Sequence, residues 1–354
     1  MRHGDIELHN VHQFLEGDLA SLLEGKRQTL SGCADRVADA GGDEGYVISR
    51  IPDELRRTLN QSARTNALQA TGCEARFNLK GEKARITLKS VDAPSIAEVY
   101  QGSFLVSWHV VGTEPTTIEV GRPGNLDLLA RVAGEKKLSF DANLTRVAFP
   151  WRPICRWLGF EGDVEPPRDG QVPKTRWLAY GSSITHGNLG LRPKGCWAAR
   201  TAEGLGVDLV NLGFGGGAHL EPQLAEHIAA RDDWDFMTLE MGINLIGSID
   251  VEEFARRVEY FVTTIAKAHE DEWIFAIDLF TCRWDFARDP KVERFREVVA
   301  ERVRQLALPK LVHIRGDELL TDASGLMTDL VHPSPAGMEQ IASRLAPRMR
   351  AAMG

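Results

Sequence analysis

The sequence predicts an α/β protein with two domains: an antiparallel β-sandwich, and then a three-layer domain in which helices cover a parallel sheet. Three observations lead to this prediction. With 354 residues the chain is longer than one typical domain. Its first half contains short β-type runs, whereas its second half alternates strand-type and helix-type stretches. A charged, Pro/Gly-rich stretch lies between them, so we expect the sandwich over residues 1–160, a linker over 161–174 and the α/β domain over 175–354.

The β-type runs of the first half are rich in β-branched and aromatic residues, and Gly, Pro, Asn or Asp lies between many of them. Regular short strands separated by turn residues are typical of an antiparallel sandwich. The leading residues 1–45 are mixed and become Gly-rich toward their end, so we expect a strand and loops there. The predicted strands after this leader are residues 46–50, 75–79, 84–91, 104–111, 116–120, 126–129, 137–140 and 144–149.

In the second half, strand-type stretches alternate with helix-type stretches, which predicts a parallel sheet of about five strands with helices on both faces. The last helix has a clear start, because Ser334 can cap it and Pro335 suits its first position. Apolar runs predict strands at residues 177–180, 207–212, 236–240, 274–279 and 311–314. Helices are predicted at about residues 197–203, 222–230, 251–269, 290–306 and 335–349.

Composition and charge exclude several classes of partner. The net charge is −8 and no long Lys/Arg block occurs, which argues against nucleic acid or an anionic membrane. The chain has no run of about 18 apolar residues and begins without the apolar segment of a signal peptide, so we expect a cytoplasmic protein. Five scattered cysteines without a CxxC pair favour reduced thiols over disulfides or a zinc site. We therefore expect no metal and no other cofactor.

A candidate nucleophile follows the first predicted strand of the second half. The apolar run ends at Gly181, and two serines precede a predicted helix. The carboxyl end of a parallel strand opens into the crevice where ligands bind, and backbone N–H groups of the next turn can face negative charge. Ser183 is therefore the candidate nucleophile. The triplet Gly-Ser-Ser alone would equally suit a turn with a helix cap.

Two further blocks follow the next two predicted strands. Residues 211–217 are Gly-rich, so their backbone N–H groups can approach a ligand oxygen closely. Their spacing is neither GxGxxG nor GxxxxGK[ST], which disfavours a nucleotide-binding loop. Gly242-Ile243-Asn244 supplies a side-chain amide donor, although an Asn at such a turn also suits a structural cap.

The fourth block, Asp329-Leu-Val-His332, lies just before the last helix. A carboxylate three residues before a histidine can accept a hydrogen bond from its Nδ1–H, which leaves Nε2 as a base. A neutral serine is a poor nucleophile and needs such a base. A lone DxxH pattern also suits a surface pair or half of a metal site, but no further ligand is spaced nearby.

Taken together and in order, the four blocks resemble the conserved blocks of the SGNH (GDSL-like) hydrolase superfamily. The resemblance covers about residues 175–354 and implies a flavodoxin-like α/β/α catalytic domain. The β-rich first half resembles the jelly-roll domain that precedes the catalytic domain in several bacterial members. The matching segments are Gly181–Thr185, Asn211–Gly216, Gly242–Asn244 and Asp329–Pro333.

The resemblance also implies roles for individual residues. Ser183 would be the nucleophile, His332 the general base and Asp329 the partner that orients it. The backbone N–H groups of Ser183 and Gly216 and the side-chain amide of Asn244 would form the oxyanion hole.

Two positions depart from the family pattern, because Ser182 and Leu245 stand where family members usually have Asp. Neither change removes a group that acyl transfer needs, but both alter the polar surroundings of the site. Four other residues are candidates for the substrate pocket because they lie in loops near the blocks, although the two histidines could instead be ordinary exposed loop residues. These four are His186, His219, Arg283 and Trp284.

The resemblance implies a serine ester hydrolase that acts through an acyl-enzyme on acetyl-type O-acyl esters. Its substrates would be such esters of carbohydrates or of glycosylated small molecules, and no cofactor would be needed. Two alternative functions remain open. The enzyme could transfer the acyl group to a sugar hydroxyl of a natural product, or the chain could be a non-catalytic carbohydrate-binding protein whose sandwich does the binding.

Overall fold

A computed structural model describes residues 1–24 and 45–354, and these divide into two compact units. We call them the sandwich unit and the α/β unit. Each unit takes a short segment from the part of the chain that mainly forms the other. The sandwich unit comprises residues 1–57, 67–174 and 192–194. The α/β unit comprises residues 58–66, 175–191 and 195–354.

The sandwich unit is built from two antiparallel sheets that share one long strand. Its strands within the described residues are β1 Arg2–His3, β2 Ile6–His9, β3 Gln13–Leu15, β4 Tyr46–Ser49, β5 Glu74–Ser90, β6 Ser95–Gln101, β7 Phe104–Val111, β8 Thr116–Gly121, β9 Thr145–Ala148 and β10 Cys155–Glu165. The first part of β5 pairs with β2 and β9, and its second part pairs with β8 and β10. One sheet has the order β1-β2-β5-β9-β6-β7, and the other has the order β3-β4-β10-β5-β8.

The two sheets bury a shared apolar core, which explains why they pack face to face. Phe77 and Val147 from one sheet join Ile86 and Ile118 from the other in a single cluster. In β8, buried and exposed residues alternate, as expected for a strand with one face in the core. Each fully buried side chain of this size contributes roughly 1.5–3 kcal/mol. The predicted antiparallel sandwich is therefore confirmed.

Two of the predicted strands in this half are wrong. Residues 126–129 begin helix α4, Leu126–Lys136, because Leu126, Leu129 and Val132 recur at helical rather than strand spacing. Residues 137–140 form no strand, since Lys137 adopts a left-handed conformation that ends this helix. The Gly-rich stretch of the leader, residues 41–44, and Cys33 lie outside the described residues. The other helices before α4 are α1 Leu19–Glu24, α2 Asp53–Thr58 and α3 Gln61–Asn66.

The α/β unit contains a five-stranded sheet in which every pair of neighbours is parallel. Its strands are β11 Arg176–Gly181, β12 Asp208–Gly213, β13 Phe236–Glu240, β14 Trp273–Ile277 and β15 Leu311–Ile314. Its helices besides α3 are α5 Ser183–His186, α6 Trp197–Leu205, α7 Pro222–Ala229, α8 Val251–Ala268, α9 Arg283–Phe286, α10 Pro290–Leu306 and α11 Pro335–Met353. Short 3₁₀ helices span Pro193–Gly195 and Ala323–Gly325.

The strand order β12-β11-β13-β14-β15 is the flavodoxin-like order, so the predicted fold of this unit is confirmed. Strands β12 and β13 are buried along their whole length because helices cover the sheet: α6 packs with α11, and α8 packs with α7 and α10. Ser334 caps α11 by accepting a hydrogen bond from Gly337 N–H, and Pro335 follows it as expected. None of the described helices has the length and apolar character to cross a membrane.

In such a sheet the ligand crevice lies where the chain reverses direction across the strands, outside their carboxyl ends. Here that point lies beside β11. The chain passes from β11 to β12 on one side of β11 and then crosses to β13 on its other side. The loops that follow these three strands therefore contain the residues most able to act on a ligand.

Candidate active site

Ser183 lies where β11 turns directly into α5. Ser182 caps this short helix by accepting a hydrogen bond from Ile184 N–H, so its side chain is engaged in the turn. The turn is tight at Gly181, where a Cβ atom would lie only 2.2 Å from Thr185 Oγ1. Ser183 is 5% exposed, so its hydroxyl is almost enclosed. The absence of a side chain at Gly181 thus lets the chain present Ser183 at the end of the strand.

The structure brings Ser183, His332 and Asp329 into one chain of hydrogen bonds. Ser183 Oγ lies 2.7 Å from His332 Nε2, and His332 Nδ1 lies 2.7 Å from Asp329 Oδ2. The other carboxylate oxygen of Asp329 accepts hydrogen bonds from the backbone N–H groups of Val331 and His332. The loop before α11 therefore holds the carboxylate and the imidazole in line with the hydroxyl.

The charge state of Asp329 suits this arrangement. Burial raises the pKa of its carboxyl, but hydrogen bonds from the His332 ring and from two backbone N–H groups outweigh burial and lower that pKa below its ordinary value. An ionised Asp329 keeps a proton on His332 Nδ1 and leaves Nε2 able to accept one. His332 Nε2 is therefore placed to accept the proton of the Ser183 hydroxyl.

The Gly-rich loop between β12 and α7 lies directly against the turn that carries Ser183. Asn211 joins the two, because its side chain donates to Thr185 O and accepts from Gly213 N–H. A Cβ atom at Gly213 would lie 2.2 Å from His186 N, so this contact also requires glycine. Gly216 has a φ of +67°, in the left-handed region that favours glycine.

Three N–H donors at neighbouring strand ends have no partner among the residues that the structure describes. They are the backbone N–H groups of Ser183 and Gly216 and the side-chain Nδ2 of Asn244. Asn244 Oδ1 accepts a hydrogen bond from Ala218 N–H at 3.1 Å, which fixes the orientation of this amide. The loops after β11, β12 and β13 thus each offer one donor that is available to a ligand oxygen.

Glu240, at the end of β13, is a site residue that the sequence did not reveal. Its Oε2 atom accepts hydrogen bonds from Ser182 N–H at 2.6 Å and from the Thr185 hydroxyl at 3.1 Å. The side chain is buried, and burial raises the pKa of its carboxyl although these hydrogen bonds favour the charged form. A carboxyl group thus supports Ser182, the position where family members usually have Asp. The available signal was an acidic residue at the end of an apolar strand.

The four pocket candidates have different surroundings in the structure. His186 is fully buried, and its Nδ1 lies 3.0 Å from Gly213 O. Burial lowers the pKa of the His219 imidazole. The Arg283 guanidinium lies over the Trp284 ring, 5.0 Å from its centre, at the start of α9.

His219 also lines a cavity of about 530 Å³ beside the start of α7. Six of its eight lining residues have polar or charged side chains, and Ser183, Asp329 and His332 do not line it. Leu245, the second departure from the family pattern, is buried. The cavity is lined by His219, Leu220, Glu221, Pro222, Glu253, Arg256, Arg257 and Tyr260.

A comparison with protein families gives a match over residues 174–350 to the GDSL-like lipase/acylhydrolase family. This match covers the whole parallel sheet and all four sequence blocks. A comparison with curated proteins finds no match.

Several solved structures have the same fold. The salicylyl-acyltransferase SsfX3 from a tetracycline biosynthetic pathway is 17% identical, with a TM-score of 0.73 over 98% of this chain and 94% of that chain. A putative GDSL-like lipase from Bacteroides ovatus is 19% identical, with a TM-score of 0.66 over 86% and 91%. A family two carbohydrate esterase from Clostridium thermocellum is 16% identical, with a TM-score of 0.59 over 81% and 94%.

Proposed function

Because the chain belongs to the GDSL-like lipase/acylhydrolase family, we propose that Ser183, His332 and Asp329 are the catalytic triad of a serine esterase. The observation that carries this proposal is the unbroken hydrogen-bond chain from the Ser183 hydroxyl through His332 to Asp329. These three hydrogen-bonded side chains include every group needed to activate a serine.

The reaction proceeds in two stages. Ser183 Oγ attacks the ester carbonyl carbon while His332 Nε2 takes the hydroxyl proton, giving a tetrahedral intermediate. His332 then returns that proton to the leaving alcohol oxygen as the ester C–O bond breaks, which leaves an acyl-enzyme. In the second stage His332 takes a proton from water or from another alcohol, whose oxygen attacks the acyl carbon. His332 then returns that proton to Ser183 Oγ as the bond between Ser183 and the acyl group breaks.

The negative oxygen of each tetrahedral intermediate needs hydrogen-bond donors that are already in place. The unpartnered N–H groups of Ser183, Gly216 and Asn244 fill this role in our proposal. Loss of one such donor in an enzyme of this type typically raises the barrier by about 3–4 kcal/mol. Because Asn244 is held by Ala218 N–H, its amide can donate without first having to reorient.

We propose acetyl-type esters of carbohydrates or of glycosylated small molecules as the substrates. The fold similarity to a carbohydrate esterase supports this choice. Acyl transfer to a sugar hydroxyl is the second candidate, because the fold similarity to an acyltransferase extends over 98% of the chain. The two reactions share the acyl-enzyme and differ only in the acceptor.

A burst experiment with p-nitrophenyl acetate tests the proposal. Wild-type protein should release phenolate in a fast phase with an amplitude close to the enzyme concentration, followed by slower turnover. Ser183→Ala should abolish both phases. Ser343→Ala, an exposed serine on α11, is the matched control and should behave as wild type. If the wild-type protein and Ser183→Ala released phenolate at the same slow rate, the non-catalytic alternative would be favoured.

The fate of the acyl group is measured in the same reaction with a sugar acceptor added. An esterase should give free acetate at a rate that the sugar does not change. A transferase should give acetylated sugar and a higher turnover, because the sugar hydroxyl removes the acyl group faster than water does. The ratio of the two products therefore decides between the two candidate functions.

A further inference from the structure

Helix α3 comes from the first half of the sequence, yet it belongs to the α/β unit and contacts the loop that carries Gly216. Its last residue, Asn66, holds Gly215 at two points. Asn66 Oδ1 accepts a hydrogen bond from Gly215 N–H at 3.0 Å, and Asn66 Nδ2 donates to Gly215 O at 2.9 Å. The same amide nitrogen also donates to Ser62 O at 2.8 Å, which fixes the direction of the Asn66 side chain.

The bond to Gly215 O matters because this carbonyl and the Gly216 N–H belong to one peptide group. A peptide group is planar, and in its trans form the C=O and N–H bonds point in opposite directions. The hydrogen bond from Asn66 to Gly215 O therefore also fixes the direction of the Gly216 N–H, which points away from Asn66. This N–H is one of the three unpartnered donors at the strand ends.

The loop is also held on its other side. Asn60, just before α3, donates from Nδ2 to Gly217 O at 2.9 Å and to Glu221 Oε2 at 2.9 Å. The fit between the helix and the loop is close, because a Cβ atom at Gly217 would lie 2.4 Å from the backbone nitrogen of Ala63. Gly216 thus lies between two residues whose carbonyl groups are both fixed.

Such fixing is needed because glycine peptides rotate easily. Gly215, Gly216 and Gly217 have no side chains to restrict the backbone, and Gly216 already adopts a positive φ. A rotated Gly215–Gly216 peptide would direct a carbonyl oxygen, rather than an N–H, toward the developing oxyanion. The fraction of molecules with the correct orientation would then limit kcat.

We propose that Asn66 is a positioning residue that fixes the Gly215–Gly216 peptide so that the Gly216 N–H serves the oxyanion. The inference rests on the proposed esterase function. Asn66 acts through Gly216 and does not itself contact the reacting atoms. Its amide suits this role because a single planar group both donates to the carbonyl and accepts from the N–H of Gly215.

The first test replaces Asn66 with Ala. We expect kcat for p-nitrophenyl acetate to fall about 10- to 100-fold, less than the loss of an oxyanion donor, with KM changed by less than about 3-fold. The affinity for an alkylboronic acid, whose tetrahedral adduct on the serine contains a negative oxygen, should fall by a similar factor. Asn125→Ala is the matched control, because Asn125 is exposed and makes no side-chain cap.

The second test is Asn66→Asp, which keeps the size of the side chain and the acceptor for Gly215 N–H but loses the donor to Gly215 O. At neutral pH its kcat should be reduced at least as much as that of Asn66→Ala. When the new carboxyl is protonated it can again donate to Gly215 O, so the ratio of its kcat to that of wild type should rise as the pH falls. Dividing by the wild-type value at each pH removes the pH dependence that the two proteins share.

The outcomes separate the possible failures. A wild-type protein without a Ser183-dependent burst would overturn the proposed function. A normal wild-type burst combined with wild-type kcat in both Asn66 variants would overturn only the positioning role. A loss of kcat that spares boronic acid affinity, or a ratio for Asn66→Asp that does not change with pH, would also overturn it. If Asn66→Ala does not fold, the pH profile of Asn66→Asp decides.

Discussion

The turn that carries Ser183 and the loop that carries Gly216 lie side by side, but different chemistry holds each in place. A buried carboxyl group, Glu240, supports the turn through the backbone and hydroxyl groups near the nucleophile. Neutral amides support the loop, and Asn66 is the clearest case because it engages both backbone groups of one glycine.

The difference follows from what each segment must present. In the proposed mechanism the turn presents a hydroxyl whose proton passes to His332, and the Ser182 N–H of this turn donates to Glu240. In the same mechanism the loop presents an N–H to an oxygen that becomes negative during the reaction. A carboxylate that supported this loop would repel that oxygen, whereas a neutral amide adds no charge. The groups that hold Gly215 therefore belong to a neutral side chain, and the carboxyl group of Glu221 is joined to this loop through Asn60.

The largest effect should come from removing the reacting groups beside the turn. Ser183→Ala and His332→Ala should each lower kcat on the order of 10⁵- to 10⁶-fold, because nucleophile and base act as a unit. The double variant should be hardly worse than either single one. Steady-state kinetics with p-nitrophenyl acetate measures this. Near wild-type turnover in His332→Ala, combined with a large loss in His186→Ala or His219→Ala, would show that the base has been misassigned.

More can be read from the sequence about the turn than about the support of the loop. Gly181, Ser183, Asp329 and His332 lie in short contiguous blocks, which is why their chemistry and order could single them out as candidates. Asn66 contacts a residue 149 positions away, in a segment that looked like part of the sandwich.

Two other features escaped prediction for related physical reasons. Glu240 lies 58 positions from the residue it supports, so no local pattern joins the two. The start of helix α4 was taken for a strand because a short apolar run suits either element until its spacing is followed further. The fold could be predicted because each half of the sequence repeats a pattern of its own, short strands in the first and alternating strands and helices in the second. Contacts between distant segments leave no such pattern in the sequence.

A smaller effect is expected on the loop side, from Asn244→Ala. We expect kcat to fall about 10²- to 10³-fold with little change in KM, because the developing oxyanion needs this donor more than the ground-state carbonyl does. Kinetics over a range of substrate concentrations separates the two constants. A change confined to KM would instead make Asn244 a residue that binds the substrate.

The smallest effect on turnover, and the clearest effect on stability, is expected from Glu240→Gln. Burial raises the pKa of Glu240, so the folded protein holds this proton more tightly than the unfolded chain does. The stability that protonation gives is complete below the ordinary glutamate pKa and is lost as the pH rises through the raised value. Each unit of the difference corresponds to about 1.4 kcal/mol.

Urea unfolding at several pH values measures this effect. Because glutamine does not titrate, the free energy of unfolding of Glu240→Gln should improve relative to wild type as the pH rises above the ordinary glutamate range. A difference between the two proteins that does not change with pH would mean that Glu240 is not protonated more readily in the fold. That result would mean that the turn is supported by a carboxyl group that ionises as readily as it does in the unfolded chain.

The central claim is that Ser183 forms a covalent acyl-enzyme, and peptide mass mapping after rapid acid quenching tests it most directly. The protein is mixed with p-nitrophenyl acetate, quenched during the burst and digested. We predict one acetyl group on the peptide that contains Ser183 in wild type, and none on that peptide in Ser183→Ala. An acetyl group on a different residue, or phenolate release without any acetylated peptide, would contradict the account.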